Sequence, residues 1–63
     1  MHTAKVYEKV ANIIPADELR GLSHGQTDAL EELLAELLNI HDGDIEEITY
    51  DEIDEAFRKA KTF

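Results

Sequence analysis

Large aliphatic side chains recur at helical spacing along most of the chain, and short polar breaks separate the helical segments. The first segment carries four of them: Val6, Val10, Ile13 and Ile14. Because the residue before a proline is disfavoured in the α region, Pro15 is predicted to end this helix. Pro15 also suits the start of a short helical turn over Ala16–Arg20, and Gly21 is a typical residue to end such a turn.

The second long segment begins like a capped helix. Ser23 and Gln26 have the spacing of a capping box, in which the hydroxyl and the amide satisfy free backbone groups. Six large aliphatic residues follow: Leu30, Leu33, Leu34, Leu37, Leu38 and Ile40. They span an arc of about 160°, wider than the ~100° apolar stripe of an ordinary surface helix. This helix is therefore predicted either to form the centre of a bundle or to keep an apolar face for a partner.

A turn and a last helix are predicted for the rest of the chain. Residues 42–44 are a turn sequence, and Asp44 with Glu47 has the spacing to cap one further helical turn. Thr49 and Glu52 form a second capping box, which opens a helix with one narrow apolar stripe: Tyr50, Ile53, Phe57 and Ala60. No alternation typical of strands is present. The fold class predicted is all-α, a small compact bundle of three main helices plus a short helical turn, with residues 1–63 as a single helical domain.

Composition narrows the classes of function. The chain has 63 residues and no cysteine, which excludes a disulfide-dependent fold and thiolate metal sites. No apolar run approaches the roughly 18 residues of a membrane span, and residues 1–3 do not open a signal peptide, so we expect a cytoplasmic protein. With 15 acidic residues against six Lys and Arg, the formal net charge is −9. Direct binding to nucleic acid or to a membrane is therefore not expected.

Acidic residues are concentrated in one block of the sequence. Between positions 28 and 55 there is no Lys or Arg, but there are twelve carboxylates: Asp28, Glu31, Glu32, Glu36, Asp42, Asp44, Glu46, Glu47, Asp51, Glu52, Asp54 and Glu55. One interpretation is a solubilising surface. The other is an acidic face that binds a basic protein surface, with six predicted contact residues: Asp28, Glu32, Glu36, Asp51, Asp54 and Glu55. The hypothesis is an inhibitor or modulator that imitates nucleic acid, as small acidic inhibitors of phage or plasmid origin do.

Few residues of this sequence are candidates for a nucleophile or a general base. The single serine is assigned to a helix cap, and the three histidines, His2, His24 and His41, are far apart in the sequence. A nucleophile, a base and an orienting group must converge in a cleft, and three short helices leave little room for one. We expect no enzymatic activity and no cofactor.

Residues 41–52 resemble the second half of an EF-hand, with Ile48 as the central apolar residue and Glu52 as the bidentate last ligand. In that register, however, the earlier positions depart from the motif: His41, Gly43, Ile45 and Glu46 occupy the first, third, fifth and glycine positions. This pattern indicates weak cation association and no dedicated metal site.

The chain is also similar to acyl carrier proteins, which are small acidic helical bundles. The resemblance covers Leu30–Ile40 and the segments after it, and it implies a carrier role with a prosthetic group on a serine. The nearest serine, Ser23, lacks the expected Asp-Ser-Leu context. A carrier or cation-binding domain therefore remains one alternative. The other is a structural module that dimerises or accepts a helix through the leucine arc.

Overall fold

The described part of the chain consists of three longer helices, one short helix and a 3₁₀ turn. The structure is a computed structural model that describes the backbone of residues 3–63 and the side chains from residue 5 onward, so His2 lies outside it. Its elements are α1 (Thr3–Ala11), α2 (Ala16–Arg20), α3 (His24–Ile40), the 3₁₀ turn (Ile45–Glu47) and α4 (Tyr50–Ala60). The all-α prediction is confirmed, and no strand occurs in residues 3–63.

Two predicted capping boxes set the starts of the two best-defined helices. The Ser23 hydroxyl accepts from the Gln26 amide at 3.2 Å, and the Gln26 side chain accepts from the Ser23 N–H at 2.9 Å. Thr49 and Glu52 form the same pair of bonds at the start of α4, at 3.1 and 2.9 Å. Both predictions are confirmed, since a cap is a local feature that four consecutive residues determine.

Helix α3 pairs with α4 as an antiparallel hairpin. At one end, the Gln26 amide Nε2 donates to the carbonyl oxygens of Lys61 and Phe63 at 3.0 and 3.3 Å. At the other end, His41 reaches Glu52 in the first turn of α4. Helix α1 also packs on α3, so α3 is covered from two sides. The wide apolar arc is thus largely explained by this central position.

Eleven buried hydrophobic residues form one core. They come from all three longer helices and their connections: Val6, Val10, Ile14, Ala29, Leu30, Leu34, Ile48, Ile53, Ala56, Phe57 and Ala60. The Cα radius of gyration is 10.7 Å, close to the roughly 10.6 Å expected for a compact chain of this length.

Two details of the sequence prediction are corrected. Helix α1 ends at Ala11, and Ile13 and Ile14 lie in a turn whose amides donate to the Val10 carbonyl at 3.0 and 2.8 Å. Tyr50 was expected on the buried stripe of α4 but is 55% exposed. It occupies the first position of α4, where its ring lies 5.7 Å from Lys9 Nζ.

The connection after α3 uses a Schellman motif. The Gly43 amide donates to the Leu38 carbonyl and the Asp42 amide to the Asn39 carbonyl, which satisfies two free carbonyls at the helix end. Asp42 occupies the left-handed region with φ 54°, as does Gly43 with φ 80°. Asp44 has an ordinary φ of −85°, and its carboxylate accepts from the Glu46 amide. The predicted cap at Asp44 is therefore confirmed, but its bond is to Glu46, and Glu47 takes no part in it.

The two aspartates that flank Gly43 are therefore expected to respond in opposite ways to glycine. Asp42→Gly should raise the free energy of unfolding by about 0.5–1 kcal/mol, because left-handed strain of roughly 1–2 kcal/mol exceeds the glycine entropy cost of roughly 0.4–1 kcal/mol. Asp44→Gly should lower it by about 0.5–1 kcal/mol, since a cap is lost and no strain is relieved. Urea denaturation measures both, and equal signs would contradict the strain at Asp42.

Candidate protein-binding surface

Helix α3 carries a row of exposed carboxylates on the side away from the core. Asp28, Glu32 and Glu36 recur at four-residue spacing and are all exposed, and we call them the α3 acidic row. Within residues 5–63 none of them takes part in an ion pair. Among residues 5–63, no cationic side chain lies close enough to pair with these three charges.

The carboxylates of α4 are in a different situation. Asp54 Oδ2 lies 3.1 Å from an Arg58 guanidinium nitrogen, and Glu55 Oε1 lies 3.7 Å from Lys59 Nζ. Asp51 is exposed in the first turn of α4, and no ion pair involves it in the described part of the chain. Of the six predicted contact residues, Asp54 and Glu55 are thus partly neutralised by their own helix.

The six predicted residues do not all share one surface. Glu36 and Glu55 line the same groove between α3 and α4, together with Glu52. Asp54 lies on the other flank of α4, beside Ile13 and Arg58. This separation follows from the 100° rotation between consecutive helical residues, which places neighbours in sequence on different sides of a helix.

The groove between α3 and α4 has an apolar floor and a mainly acidic rim. Its volume is about 190 Å³. The apolar lining residues are Leu33, Leu37, Ile40 and Ala56, and the charged ones are Glu36, Glu52, Glu55 and Lys59. Ile40 is 69% exposed, so part of the leucine arc remains uncovered at this point.

A network of polar contacts forms where α3 meets α4. Both carboxylate oxygens of Glu52 lie 3.1 Å from His41 Nε2, and one of them also accepts from the Thr49 N–H. His41 Nδ1 lies 4.0 Å from Glu47 Oε1. The bond from the Thr49 amide and the contact with His41 hold the pKa of the Glu52 carboxyl below its usual range.

This network uses the first and last positions of the EF-hand-like register. His41 and Glu52 are in contact through a hydrogen bond beside a helix cap, and this contact was not predicted from the sequence. Among residues 5–63, no group of three or more potential metal-ligating side chains is arranged to hold a metal ion.

Lys9 of α1 lies against the 3₁₀ turn (Ile45–Glu47), within the acidic block of the sequence. Its Nζ donates to the Ile45 carbonyl at 2.9 Å and approaches the Glu46 carbonyl at 3.4 Å. These are backbone oxygens, so the lysine holds α1 against the 3₁₀ turn through main-chain carbonyls. The link joins residues 36 positions apart and was not predicted from the sequence.

On the other flank of α3, the negative charge acts on a tyrosine of α1. The Tyr7 hydroxyl is buried and makes no hydrogen bond with good geometry to any residue from 5 to 63. Burial raises the pKa of Tyr7, and the nearby carboxylates of Glu31 and Asp28 raise it further. The acidic field of α3 thus extends to the α1 side of the bundle.

Ser23, the residue that the carrier resemblance singled out, lies at the exposed start of α3. Its hydroxyl oxygen is used as the helix cap.

Comparison with protein-family models, curated proteins and solved structures found no match to this chain. None of the helices in the described residues combines the length and apolar character that crossing a membrane requires.

Proposed function

We propose that this domain is a protein-binding module, without a catalytic role, that docks its α3 acidic row on a basic surface of a partner protein. The observation that carries the proposal is the exposure of Asp28, Glu32 and Glu36, for which residues 5–63 supply no basic partner. Like charges at four-residue spacing cost about 0.2–0.5 kcal/mol per pair. Lysines and arginines of a partner would remove that cost on binding.

The chemistry of the row favours partners that bind nucleic acids. Residues four apart on a helix are separated by about 6 Å along its axis, so the carboxylates form a regular line of negative charge. A protein surface that binds phosphates presents rows of Lys and Arg, and the same surface would accept this line. By occupying that phosphate-binding surface, the domain acts as an inhibitor or modulator of the partner protein, of the kind that mobile elements encode. The net charge of −9 disfavours direct binding of the domain to nucleic acid.

Reversing charges in the row should abolish this docking. We expect the double variant Asp28→Lys, Glu32→Lys to lose its basic partner proteins in affinity capture from extracts of the native host. Neither residue lines the groove or forms an ion pair within residues 5–63, so the helical circular dichroism signal should be retained. Capture by the unchanged domain should also fall steeply as salt rises beyond about 0.1 M, where the screening length is about 10 Å.

The matched control is Glu8→Lys, Glu18→Lys, which makes the same change in net charge at two exposed positions outside α3. It should retain the partners, and duplex DNA added as a competitor should release them. If both double variants lose the partners equally, the binding depends only on bulk charge. If neither does, the acidic residues serve solubility alone and the proposal is wrong.

A further inference from the structure

The groove between α3 and α4 is a second exposed feature, which shares only Glu36 with the α3 acidic row. Leu33 and Leu37 are only half-buried at its floor, and Ile40 projects from the last turn of α3 with 69% of its surface exposed. Opposite them, α4 contributes the small side chain of Ala56. A small residue facing two leucines leaves a recess that a side chain from another molecule can fill.

The size of the groove indicates the kind of occupant. Its volume of about 190 Å³ is below the roughly 300–1,000 Å³ of small-molecule sites. It has room for one or two large aliphatic side chains. Because its walls are two antiparallel helices, a third helix lying along it would complete a bundle-like layer and insert anchors at helical spacing.

The rim determines the charge of that occupant. Glu36, Glu52 and Glu55 face the groove, and Lys59, paired with Glu55 at 3.7 Å, is the basic residue among those that line it. A helix with lysines or arginines beside its apolar stripe would be complementary to this rim. A second copy of the chain would bring acidic rims together on two molecules of net charge −9, which is unfavourable.

We infer that the groove of Leu33, Leu37, Ile40 and Ala56 receives a cationic amphipathic helix of the partner protein. The inference rests on the proposed function, since the helix belongs to the same basic partner. It adds the form of the recognised element, an apolar stripe flanked by cationic side chains. The anchors of that stripe fill the floor of the groove while its cations meet the carboxylates of the rim.

The test uses a two-heptad synthetic peptide of leucine and lysine with all leucines on one helical face. We expect saturable one-to-one binding by calorimetry, with the largest amide shifts in NMR spectra at Leu33, Leu37, Ile40 and Ala56. A scrambled peptide of the same composition and a peptide with glutamate in place of lysine should bind at least about tenfold more weakly, because each lacks half of the complementarity.

Two exposed hydrophobic residues provide matched variants. Ile40→Ser should weaken peptide binding by about tenfold, since an exposed apolar contact in the groove is lost. Phe63→Ser should leave it unchanged, because Phe63 is 76% exposed at the opposite end of the hairpin. Both substitutions are on the surface, so both variants should retain the circular dichroism and melting curve of the unchanged domain.

The two ideas fail in different ways. If Ile40→Ser binds like the unchanged domain, or if the scrambled peptide binds equally well, the groove is not the site, even where Asp28→Lys, Glu32→Lys abolishes partner capture. If Ile40→Ser weakens the peptide while that double variant still captures the partners, the groove stands and the acidic row fails. A dimer in analytical ultracentrifugation that Ile40→Ser dissociates would identify a second copy as the occupant and overturn the inference.

Discussion

Ile53→Ala is expected to unfold most of the domain at 25 °C. Ile53 is 0% exposed and lies on the face of α4 that packs on the core. Truncating a buried isoleucine to alanine costs about 2–5 kcal/mol, because transfer energy is lost and a cavity remains. A core in a chain this short rarely supplies more than about 3–5 kcal/mol of net stability. The loss is therefore comparable to the whole, and the helical circular dichroism signal should fall sharply.

Two further isoleucine variants serve as controls for Ile53→Ala. Ile53→Val, which removes one methylene group, should lower the free energy of unfolding in urea denaturation by about 0.5–1.5 kcal/mol and leave a cooperative transition. Ile40→Ala removes the same atoms as Ile53→Ala at a position that is 69% exposed, and should change stability by no more than about 0.5 kcal/mol. A fully folded Ile53→Ala protein, or equal losses at both isoleucines, would contradict the assigned core.

The features that were predicted correctly depend on neighbouring residues. The caps Ser23 and Thr49 each act on an amide three residues further along, and the short helix Ala16–Arg20 lies between Pro15 and Gly21. Such signals are contained in the local sequence, and tertiary contacts did not alter them. For the same reason, the helix content followed from periodicity, whereas the width of the apolar arc gave the central position of α3 only as one of two alternatives.

The features that were not predicted depend on how the helices cross. Periodicity assigned Tyr50 to the buried stripe, but this first residue of α4 is 55% exposed, with its ring beside Lys9 Nζ. Likewise, Asp54 and Glu55 are adjacent in sequence, but only Glu55 faces the groove with α3. Which carboxylates share a surface is set by the rotation of α4 against α3, and no local pattern contains that rotation. The row of Asp28, Glu32 and Glu36 was predictable because it lies on one helix.

The capping network at the start of α4 is expected to make stability depend on pH. Because the pKa of Glu52 is lowered in the folded state, its charged form stabilises the fold at neutral pH. That contribution is complete above the usual glutamate pKa of about 4.3 and is lost as the pH falls through the lower, folded-state value. Glu52→Gln should therefore be less stable than the unchanged domain at neutral pH, and the difference should shrink towards acid.

Comparing the two proteins at each pH removes an opposing effect. Protonating the other carboxylates relieves the repulsion within a chain of net charge −9, so both proteins gain stability from that source on acidification. Thermal unfolding of the unchanged domain, Glu52→Gln and a control, Glu8→Gln, separates the two contributions, since Glu8 is exposed and forms no ion pair among residues 5–63. A difference that is the same at neutral and acid pH would show that Glu52 does not act through its charge.

The partner of Glu52 in the cap provides the second half of this test. Thr49→Ala should lower the free energy of unfolding by about 0.5–2 kcal/mol, as the loss of a helix N-cap usually does. Combined with Glu52→Gln, it should cost less than the sum of the two changes, because Thr49 Oγ1 donates to the Glu52 carboxylate and each change weakens that same contact. Ser23→Ala removes the equivalent box of α3, at the other end of the hairpin, and should add independently to Glu52→Gln. Additivity at both positions would mean that the Thr49 side chain and Glu52 do not act as one unit, and the pH dependence would then come from the bonds that Glu52 makes with the Thr49 N–H and with His41.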